Sequence, residues 1–467
     1  MIWLASWPWQ HLRMAFITDD VVPLNRTEHA YVAIEGLAST MLQPYVLRLS
    51  APVDTTLVRR VLRDLVSAYP KLRACVEPGL HQYHFRILPD GPLIDQLFDL
   101  AFRVEAHVDI DDPQALQAWH TQVINEVVPL ERGIGLRARF VSHPQRPVLL
   151  FAMPHVFGDG MTMVYLLTQI MRGLNGLPIE AMPIEAPAMI GSIAPDHWWQ
   201  WPRQIWRSRA HKVAERQRLK ALRVLQVPTQ WGPHFTTTAL RHHAVPTGTA
   251  DMRRAARALG VSLNTFLVAA QAQTFLEQAP DDPQAAAVIR ISVNLRRYYP
   301  QSAGHGPLWG NHVGAFLVIE QDARKPLAQR VRDVDAAIKE GQARFARREM
   351  AWTYLFDELM PLLGRTLIGY IGVKMKQANK FPCISLHATS LGDVSAINPP
   401  DAAVKLDQLI ASVNSISLLT AMTELNGQLT TPASWQLSET SMADVAAFHA
   451  RFDEVIGRMV VQALHPG

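Results

Sequence analysis

Residues 149–160, with the sequence LLFAMPHVFGDG, constrain the fold of this chain more than any other part of it. An apolar run of strand length ends at His155, and a short turn that contains Gly158 and Gly160 follows. Residues 161–167, MTMVYLL, then have the composition of a buried helix. This order of strand, loop and helix sets a histidine at the end of a buried strand, and we predict that the rest of the chain assembles around it.

Three residues of this stretch, His155, Asp159 and Gly160, form the pattern H-x-x-x-D-G. The pattern resembles the active-site signature of an acyltransferase superfamily that includes chloramphenicol acetyltransferase, the BAHD enzymes, wax ester synthases and the condensation domains of peptide synthetases. Many members carry a second histidine immediately before the first, and Pro154 takes that position here. Because other members work with a single histidine, Pro154 is compatible with activity.

Further matches to these families lie on both sides of the motif and in the same order. They are YPKLRA at 69–74, PLERGIGLR at 129–137, ARALGVSLNTFLVAA at 256–270, VNLR at 293–296, WGNHVG at 309–314 and ATSLG at 388–392. The resemblance therefore extends from about residue 24 to the end of the chain. The sequence has no D-F-G-W-G motif near its C-terminus, which argues against a plant-type BAHD enzyme.

The length of the chain favours two lobes, because 467 residues are too many for one ordinary core. The resemblance implies an α/β fold of the α+β sandwich type, in which two pseudo-symmetric chloramphenicol-acetyltransferase-like lobes enclose the active-site cleft or tunnel. We predict an N-terminal lobe at 15–185 that carries the histidine motif and a C-terminal lobe at 237–467. A crossover linker rich in tryptophan and arginine, at 186–236, would join them.

Local patterns predict individual elements within these lobes. Asp54 is typical of a helix N-cap, and apolar residues recur at helical spacing from 57 to 66. Further helices are predicted at 113–127, 326–348 and 442–464. Strands are predicted at 45–49, 82–88, 135–141, 383–387, 412–419 and 427–437.

Acyl transfer from a thioester needs a base for the incoming hydroxyl or amine, and a group that holds charge on the tetrahedral intermediate. A neutral imidazole suits the first task near pH 7, and we predict that His155 is this base and forms no covalent acyl-enzyme. Taken alone, Asp159 at the mouth of a helix is an ordinary N-cap. The resemblance implies that Asp159 instead pairs with a second-lobe arginine, Arg296 or the adjacent Arg297, and so fixes the histidine loop.

We therefore assign His155 and Asp159 as the catalytic pair, with structural support from Gly160, Arg296 and Asn311 that the resemblance implies. Gly158 and Gly160 would let the backbone bend where a side chain would block the cleft. The helix amides just after Gly160 are candidates for holding the developing oxyanion.

Other interpretations of His155 are a packed core histidine and a metal ligand. A metal site is disfavoured because His155 and Asp159 supply two ligands and the pattern shows no third, so no metal is expected. The chain also lacks a G-x-S-x-G elbow and a G-x-x-x-x-G-K-[ST] phosphate loop. Gly133 and Gly135 lack the third glycine and the helix that a dinucleotide site requires.

Net charge, cysteine content and the distribution of apolar residues indicate where in the cell this protein is expected. The formal net charge is only +4, and the two cysteines, Cys75 and Cys383, suggest neither a disulfide framework nor a metal site. The apolar residues 1–9 lack a basic region and a cleavage site, and no charge-free run reaches the ~18 residues of a membrane-spanning helix. We expect a cytoplasmic protein, with peripheral binding at the inner membrane as an alternative.

Residues 198–223 of the crossover combine tryptophans with a dense run of basic residues that only Glu215 opposes. A segment of this kind docks on anionic lipid, docks on an acidic carrier protein, or is simply a solvated linker. Nucleic-acid binding would depend on this segment alone, so we expect none.

The resemblance thus implies an O-acyltransferase that moves an acyl group from a thioester to a small-molecule or lipid alcohol. The donor would be acyl-CoA or a phosphopantetheinyl acyl carrier protein, acting as co-substrate, and no tightly bound cofactor is expected. Two alternatives stay open: a free-standing condensation enzyme that forms an amide or ester on carrier-bound substrates, and a catalytically degenerate member that binds a carrier or lipid.

Overall fold

The computed structural model describes residues 21–38, 41–78, 83–185, 195, 197–299, 309–349, 364–381 and 383–465. The apolar residues 1–9, the first residues of the predicted N-terminal lobe (15–20) and most of 186–196 therefore lie outside the described residues. The described α-helices are α1 Arg26–Ala38, α2 Thr55–Ala68, α3 Pro92–Ala101, α4 Pro113–Ile124, α5 Gly160–Leu174, α6 Trp201–Lys220, α7 Thr249–Ala258, α8 Leu263–Leu276, α9 Leu327–Ala346, α10 Gly364–Gln377 and α11 Met442–Leu464. The described strands are β1 Val21–Pro23, β2 Leu42–Leu49, β3 Ala74–Pro78, β4 Tyr83–Ile87, β5 Phe102–Val104, β6 Arg137–Val141, β7 Val148–Pro154, β8 Arg223–Val224, β9 Thr238–Arg241, β10 Ala285–Asn294, β11 Val313–Gln321, β12 Leu386–Asp393, β13 Leu406–Ala411, β14 Leu419–Leu425, β15 Gln428–Thr430 and β16 Ala433–Gln436.

The main sheet of the first lobe has the strand order β13-β2-β7-β6-β5. Strand β7 is central, lies antiparallel to β2 and β6, and is buried at every residue. A strand covered on both faces carries a continuous apolar run, which explains the sequence VLLFAM before Pro154. The end of β7 delivers His155 to the middle of the molecule.

Helices α2 and α5 pack against each other in the core of this lobe. The side chain of Asp54 caps α2 by accepting a hydrogen bond from the Thr56 amide, as the sequence predicts. Val58, Val61 and Leu65 lie on its buried face. A smaller sheet, β1-β4-β3, closes the lobe near the start of the described chain.

The second lobe is built on a mixed sheet of order β11-β10-β12-β14-β16-β9, in which β15 also pairs with β14 and β8 also pairs with β10. Strands β10, β12 and β14 are parallel to one another, whereas β11 and β16 are antiparallel to their neighbours. Helices α7, α8, α9 and α11 cover one face and enclose a second hydrophobic core. The predicted α/β architecture of two lobes, each with its own sheet and core, is thus confirmed.

One strand crosses between the lobes. Strand β13 belongs to the second half of the sequence but pairs antiparallel with β2, so it completes the sheet of the first lobe. Leu406, Leu409 and Ala411 accordingly lie in the first core. A boundary at residue 237 therefore separates the sequence into two segments, while the first sheet takes a strand from each.

The predicted strands at 383–387, 412–419 and 427–437 are displaced in the structure. Strand β12 begins at Leu386 and runs through the ATSLG match at 388–392, with a bulge near Ser390. Strands β13 and β14 flank the segment 412–419 that the sequence predicts as one strand. In that segment the side chains of Ser412 and Asn414 hydrogen-bond carbonyls of the first lobe, at Pro44 and Ile124. Pro432, which has no amide hydrogen for a ladder, separates β15 from β16.

The crossover contains a helix, α6, in the place where the sequence predicts a linker. Leu219 and Leu222, near its C-terminal end, pack on the small cluster formed by Ala286, Val288 and Ile384 of the second lobe. Strand β8 then pairs with β10. Along the described chain, no helix is long and apolar enough to cross a membrane.

Candidate active site

His155 lies where the two lobes meet, directly after β7, with its side chain almost fully buried. Its backbone amide donates to the carbonyl oxygen of Met41, so the residue extends the pairing of β7 with the start of β2. Pro154 ends the strand opposite Leu42, and its carbonyl accepts from Phe157 to form the following turn. The carbonyl of Pro154 therefore closes the turn that carries His155.

The imidazole is held at one nitrogen. Nδ1 lies 3.1 Å from the carbonyl oxygen of Gly158 and 2.8 Å from Nδ2 of Asn311. The Gly158 carbonyl can only accept, and the Asn311 amide finds its own acceptor in the His155 carbonyl at 2.7 Å. We therefore assign the proton to Nδ1 of His155, which leaves Nε2 as the lone-pair nitrogen.

The ring of Tyr31, from α1, stacks on His155 with a centroid distance of 4.0 Å and an interplanar angle of 26°. Burial lowers the pKa of His155 to about 4, although the negative charge of Asp159 opposes that shift. The imidazole is therefore neutral at pH 7 and able to accept a proton.

Asp159 forms a two-pronged ion pair with Arg296 from the short helical turn after β10, with contacts of 2.6 and 2.9 Å. Its carboxylate also accepts the amides of Met161, Thr162 and His312. Burial opposes ionisation, but Arg296 and these donors hold the pKa of Asp159 well below its usual range. The carboxylate is thus fully occupied and has no direct contact with the His155 ring.

Asp159 performs both of the roles that the sequence offers as alternatives. It caps α5 and at the same time ties that helix to the second lobe through Arg296. Arg297, the other candidate, is exposed and faces Tyr298 instead. Because the Met161 and Thr162 amides donate to Asp159, the expectation that the first amides of α5 hold the oxyanion is wrong.

The segment 309–313 of the second lobe is inserted at this junction. The carbonyl oxygen of Gly310 accepts from Arg296 at 2.9 Å and from the Thr162 hydroxyl at 2.8 Å. Gly310 has a φ of 103°, a conformation that favours glycine, and a side chain there would meet Glu28. Gly160 lets the side chain of Leu391 pack closely, since an added Cβ would come within 2.6 Å of it and the leucine would have to shift.

The position of Asn311 is supported by a buried ion pair between Lys71 and Glu28, whose charged atoms are 2.9 Å apart. Glu28 also accepts the backbone amide of Asn311, and Asn25 donates to its carbonyl oxygen. Lys71 belongs to the YPKLRA phrase at 69–74, which is therefore part of the support of the site rather than only a helix ending.

The structure brings together all the site residues that the sequence predicts, namely His155, Asp159, Gly160, Arg296 and Asn311. Sequence reasoning missed Tyr31, the Glu28–Lys71 pair and Gln43, which donates to the Gly158 carbonyl. Glu28 stands among polar residues in the sequence and Lys71 follows Pro70, so no local pattern marks the pair. Across the described residues, no group of three or more His, Cys, Asp or Glu side chains is arranged to hold a metal.

The two-lobe α/β fold of this chain is similar to that of solved condensation domains and of a solved O-acetyltransferase. Solved structures with this fold include the TRI3 trichothecene 15-O-acetyltransferase of Fusarium sporotrichioides (TM-score 0.67, 10% identity, covering 96% of each chain). They also include the first condensation domain of the calcium-dependent antibiotic synthetase (TM-score 0.68, 16% identity, covering 95% of this chain and 98% of that one).

Comparison of sequences alone matches a smaller part of this chain than comparison of structures does. No family model matches the chain. Malpinin synthetase of Mortierella alpina is 25% identical over 136 residues, which are 29% of this chain and 2% of the synthetase. The fold is therefore established by the structures.

Proposed function

We propose that this protein is an acyltransferase that moves an acyl group from a thioester to an alcohol, with His155 as the general base. The single observation that carries the proposal is the neutral His155 ring, held at Nδ1 by the Gly158 carbonyl while no described residue hydrogen-bonds Nε2. A base needs a free lone pair directed at its substrate, and Nε2 of His155 is the nitrogen that meets this requirement.

The proposed reaction has one base and no covalent intermediate on the protein. Nε2 of His155 accepts the hydroxyl proton of the acceptor while its oxygen forms a bond to the thioester carbonyl carbon. When the tetrahedral intermediate collapses, the carbon–sulfur bond breaks and the imidazolium returns the proton to the sulfur. The products are an ester and a free thiol, so protons and electrons balance.

Asp159 and Arg296 act in this scheme as positioning residues. Their bond joins the start of α5 to the second lobe, and Asn311 joins His155 to the same lobe. The reactive nitrogen is therefore fixed by groups from both lobes, which lowers the reorganisation needed during the reaction.

The choice of alcohol as acceptor and of acyl-CoA or a carrier-bound pantetheine as donor is supported by the fold. One structural neighbour is an O-acetyltransferase and another is a peptide-synthetase condensation domain. Amide formation on carrier-bound substrates is the second candidate, because condensation-domain structures match the chain over nearly its whole length.

A donor panel tests the proposal. The protein is incubated with acyl-CoAs or with acyl carrier proteins, together with alcohols or amines, and free thiol and product mass are measured. We expect thiol and ester in equal amounts and no mass increase on the protein after donor alone. Amide without ester would select condensation, and an acylated protein or no transfer from either donor class would contradict the proposal.

We also propose that α6 binds peripherally to an anionic membrane surface. Trp206 on α6, with Trp198 and Trp199 just before it, is strongly exposed, at 59–69% for the three side chains. Arg203, Arg209, Arg216 and Lys220 are exposed on the same helix at spacings that place them on one side. Exposed indole rings and basic side chains on one face are typical of helices that lie in a lipid interface.

Vesicle sedimentation tests this docking. We expect binding to vesicles that contain phosphatidylglycerol, weak binding to pure phosphatidylcholine, and loss of binding in a variant with Trp198, Trp199 and Trp206 replaced by alanine. Replacement of exposed Trp231, which lies outside the helix, is the matched control. Equal binding to both vesicle types, or no binding to either, would contradict the proposal, and capture of an acyl carrier protein in its place would assign the helix to the carrier.

A further inference from the structure

Strand β10 presents two different faces. Ile289, Ile291 and Val293 point into the core of the second lobe. Because side chains alternate along a strand, Arg290 and Ser292 lie on the opposite face.

The neighbours of Arg290 place it at an opening in the covering of the sheet. Ala286 and Val288, earlier on the same face of β10, are covered by Leu219 and Leu222 of the crossover. That cover ends before Arg290, which is exposed. Among the residues that the structure describes, no carboxylate forms an ion pair with this guanidinium.

His387 on β12 lies beside Arg290, since the two residues are partners in the parallel register of β10 and β12. Its Nε2 lies 3.0 Å from the hydroxyl oxygen of Ser292. On its other side His387 is paired with Leu419, which packs in the core of the first lobe. The three polar side chains therefore lie together on the surface where the second lobe faces the first.

This surface continues toward the histidine loop along β12. Leu391, four residues after His387, lies against Gly160, where an added Cβ would come within 2.6 Å of its side chain. Burial lowers the pKa of His387 well below its usual value, and the positive charge of Arg290 lowers it further. The charge of Arg290 also acts on Tyr31, whose ring stacks on His155. Arg290 thus supplies a positive charge on the face that leads to the histidine loop, and neutral His387 forms a hydrogen-bonded pair with Ser292.

We propose that Arg290, His387 and Ser292 form a binding site for an oxyanion, and that the acyl acceptor is a hydroxy acid whose carboxylate binds there. The inference rests on the proposed function, because it names the acceptor class of that reaction. No described carboxylate pairs with the Arg290 guanidinium, which can therefore bind the two oxygens of a carboxylate, and the Ser292–His387 pair can donate one further hydrogen bond. The phosphate of a pantetheine arm is a poorer fit, since it lies at the opposite end of that arm from the reacting thioester.

Equilibrium binding without any acyl donor tests the site independently of turnover. The probes are 3-hydroxyoctanoate and salicylate, each compared with its neutral amide by calorimetry. We expect each carboxylate to bind at least about 10-fold more tightly than its amide, and Arg290→Gln to remove that difference. Arg297→Gln, which removes the charge of an exposed neighbouring arginine, is the matched control and should keep it.

The outcomes separate this inference from the proposed reaction. Preference for the carboxylates with no acyl transfer would sustain the site and refute the reaction. Transfer to alcohols with equal or no binding of acids and amides would overturn the site alone. With active protein, Arg290→Gln should raise KM for the hydroxy acid about 10-fold or more with little change in kcat. A rise in KM for the acyl donor instead would assign the anion to the donor and contradict the inference.

Ser292→Ala provides a second variant in which the charge remains. It should weaken carboxylate binding about 3-fold, because one neutral hydrogen-bonding group is lost while Arg290 stays. Unchanged binding in both Arg290→Gln and Ser292→Ala, with folded protein in each, would also overturn the site.

Discussion

Two histidine clusters join the lobes of this protein, and they differ in one decisive respect. In the first cluster, Asn311 of the second lobe donates a hydrogen bond to the carbonyl oxygen of His155 in the first lobe. In the second cluster, His120 on α4 lies next to His242, which follows β9, with 2.8 Å between their ring nitrogens. Burial lowers the pKa of both His155 and His242 to about 4, and that of His120 well below its usual value. Burial and a depressed pKa therefore do not tell a reactive histidine from a structural one.

The occupation of the ring nitrogens does tell them apart. In His120, Nδ1 bonds to His242, and Nε2 lies 3.0 Å from the Pro44 carbonyl and 2.9 Å from the Ser412 hydroxyl. In His155, Nδ1 is occupied and Nε2 has no partner among the described residues. The comparison teaches that an interlobe histidine serves as a base only when its surroundings leave one nitrogen free.

The largest expected effect distinguishes the two clusters by turnover. His155→Ala should lower kcat by about 10²–10⁴-fold, because the proton acceptor is lost. His120→Ala should leave kcat within a few-fold of the parent, since both nitrogens of that ring are used for structure. Initial rates of thiol release measure both. Comparable losses of kcat in the two variants, with melting temperatures near the parent value, would show that a free ring nitrogen does not distinguish His155 from His120.

The next effect concerns the ion pair beside His155. Arg296→Ala leaves the buried Asp159 carboxylate without its charge partner, and we expect a loss of about 3–5 kcal/mol in the free energy of unfolding. Arg297→Ala is the matched control, because that side chain is exposed and its loss should cost little. Urea unfolding measures both, and equal midpoints for Arg296→Ala and the parent would count against the proposed role of the pair.

A smaller effect is expected at the structural cluster. His120→Ala should reduce the free energy of unfolding by about 1–3 kcal/mol, because the buried Pro44 carbonyl and Ser412 hydroxyl lose a partner. Urea unfolding of the same preparation used for the rate measurement gives this value. A fully stable but inactive His120→Ala variant would be the reverse of our expectation.

Protonation of the buried histidines should cause the smallest changes in rate and stability near neutral pH. A base must be unprotonated, so kcat/KM should be level from pH 7 down to about 5 and fall as pH approaches the His155 pKa of about 4. Stability should also fall with pH, because the unfolded chain protonates His242 from its ordinary value of 6.5 whereas the folded chain resists until about 4. A rate profile that instead drops near pH 6.5 while the protein stays folded would contradict a buried, neutral base.

Much of the fold follows from the sequence because its signals are local. Strand β7 is a continuous apolar run, and α2 and α11 have caps and apolar spacing that mark their ends. The sequence does not predict that β13 pairs with β2 in the first sheet, because pairing across several hundred residues leaves no local pattern. The same limit explains the misplaced strand at 412–419, where serine and asparagine side chains bond to the other lobe.

For the site, sequence reasoning names the residues but not their connections. His155 and Asp159 are visible as a motif, whereas the choice of Arg296 over Arg297 depends on which side chain the turn after β10 directs inward. Tyr31 stacks on His155 from a helix more than a hundred residues away, and no spacing rule predicts such a contact.

The most direct test of a free reactive nitrogen is the tautomer of His155, measured by nitrogen-15 NMR of labelled protein at pH 7. Assignment by comparison with His155→Ala isolates the signal of this ring. The account predicts a neutral imidazole with its proton on Nδ1, donated to the Gly158 carbonyl, and a bare Nε2. A proton on Nε2, with Nδ1 accepting from Asn311, would remove the proposed base and contradict the account.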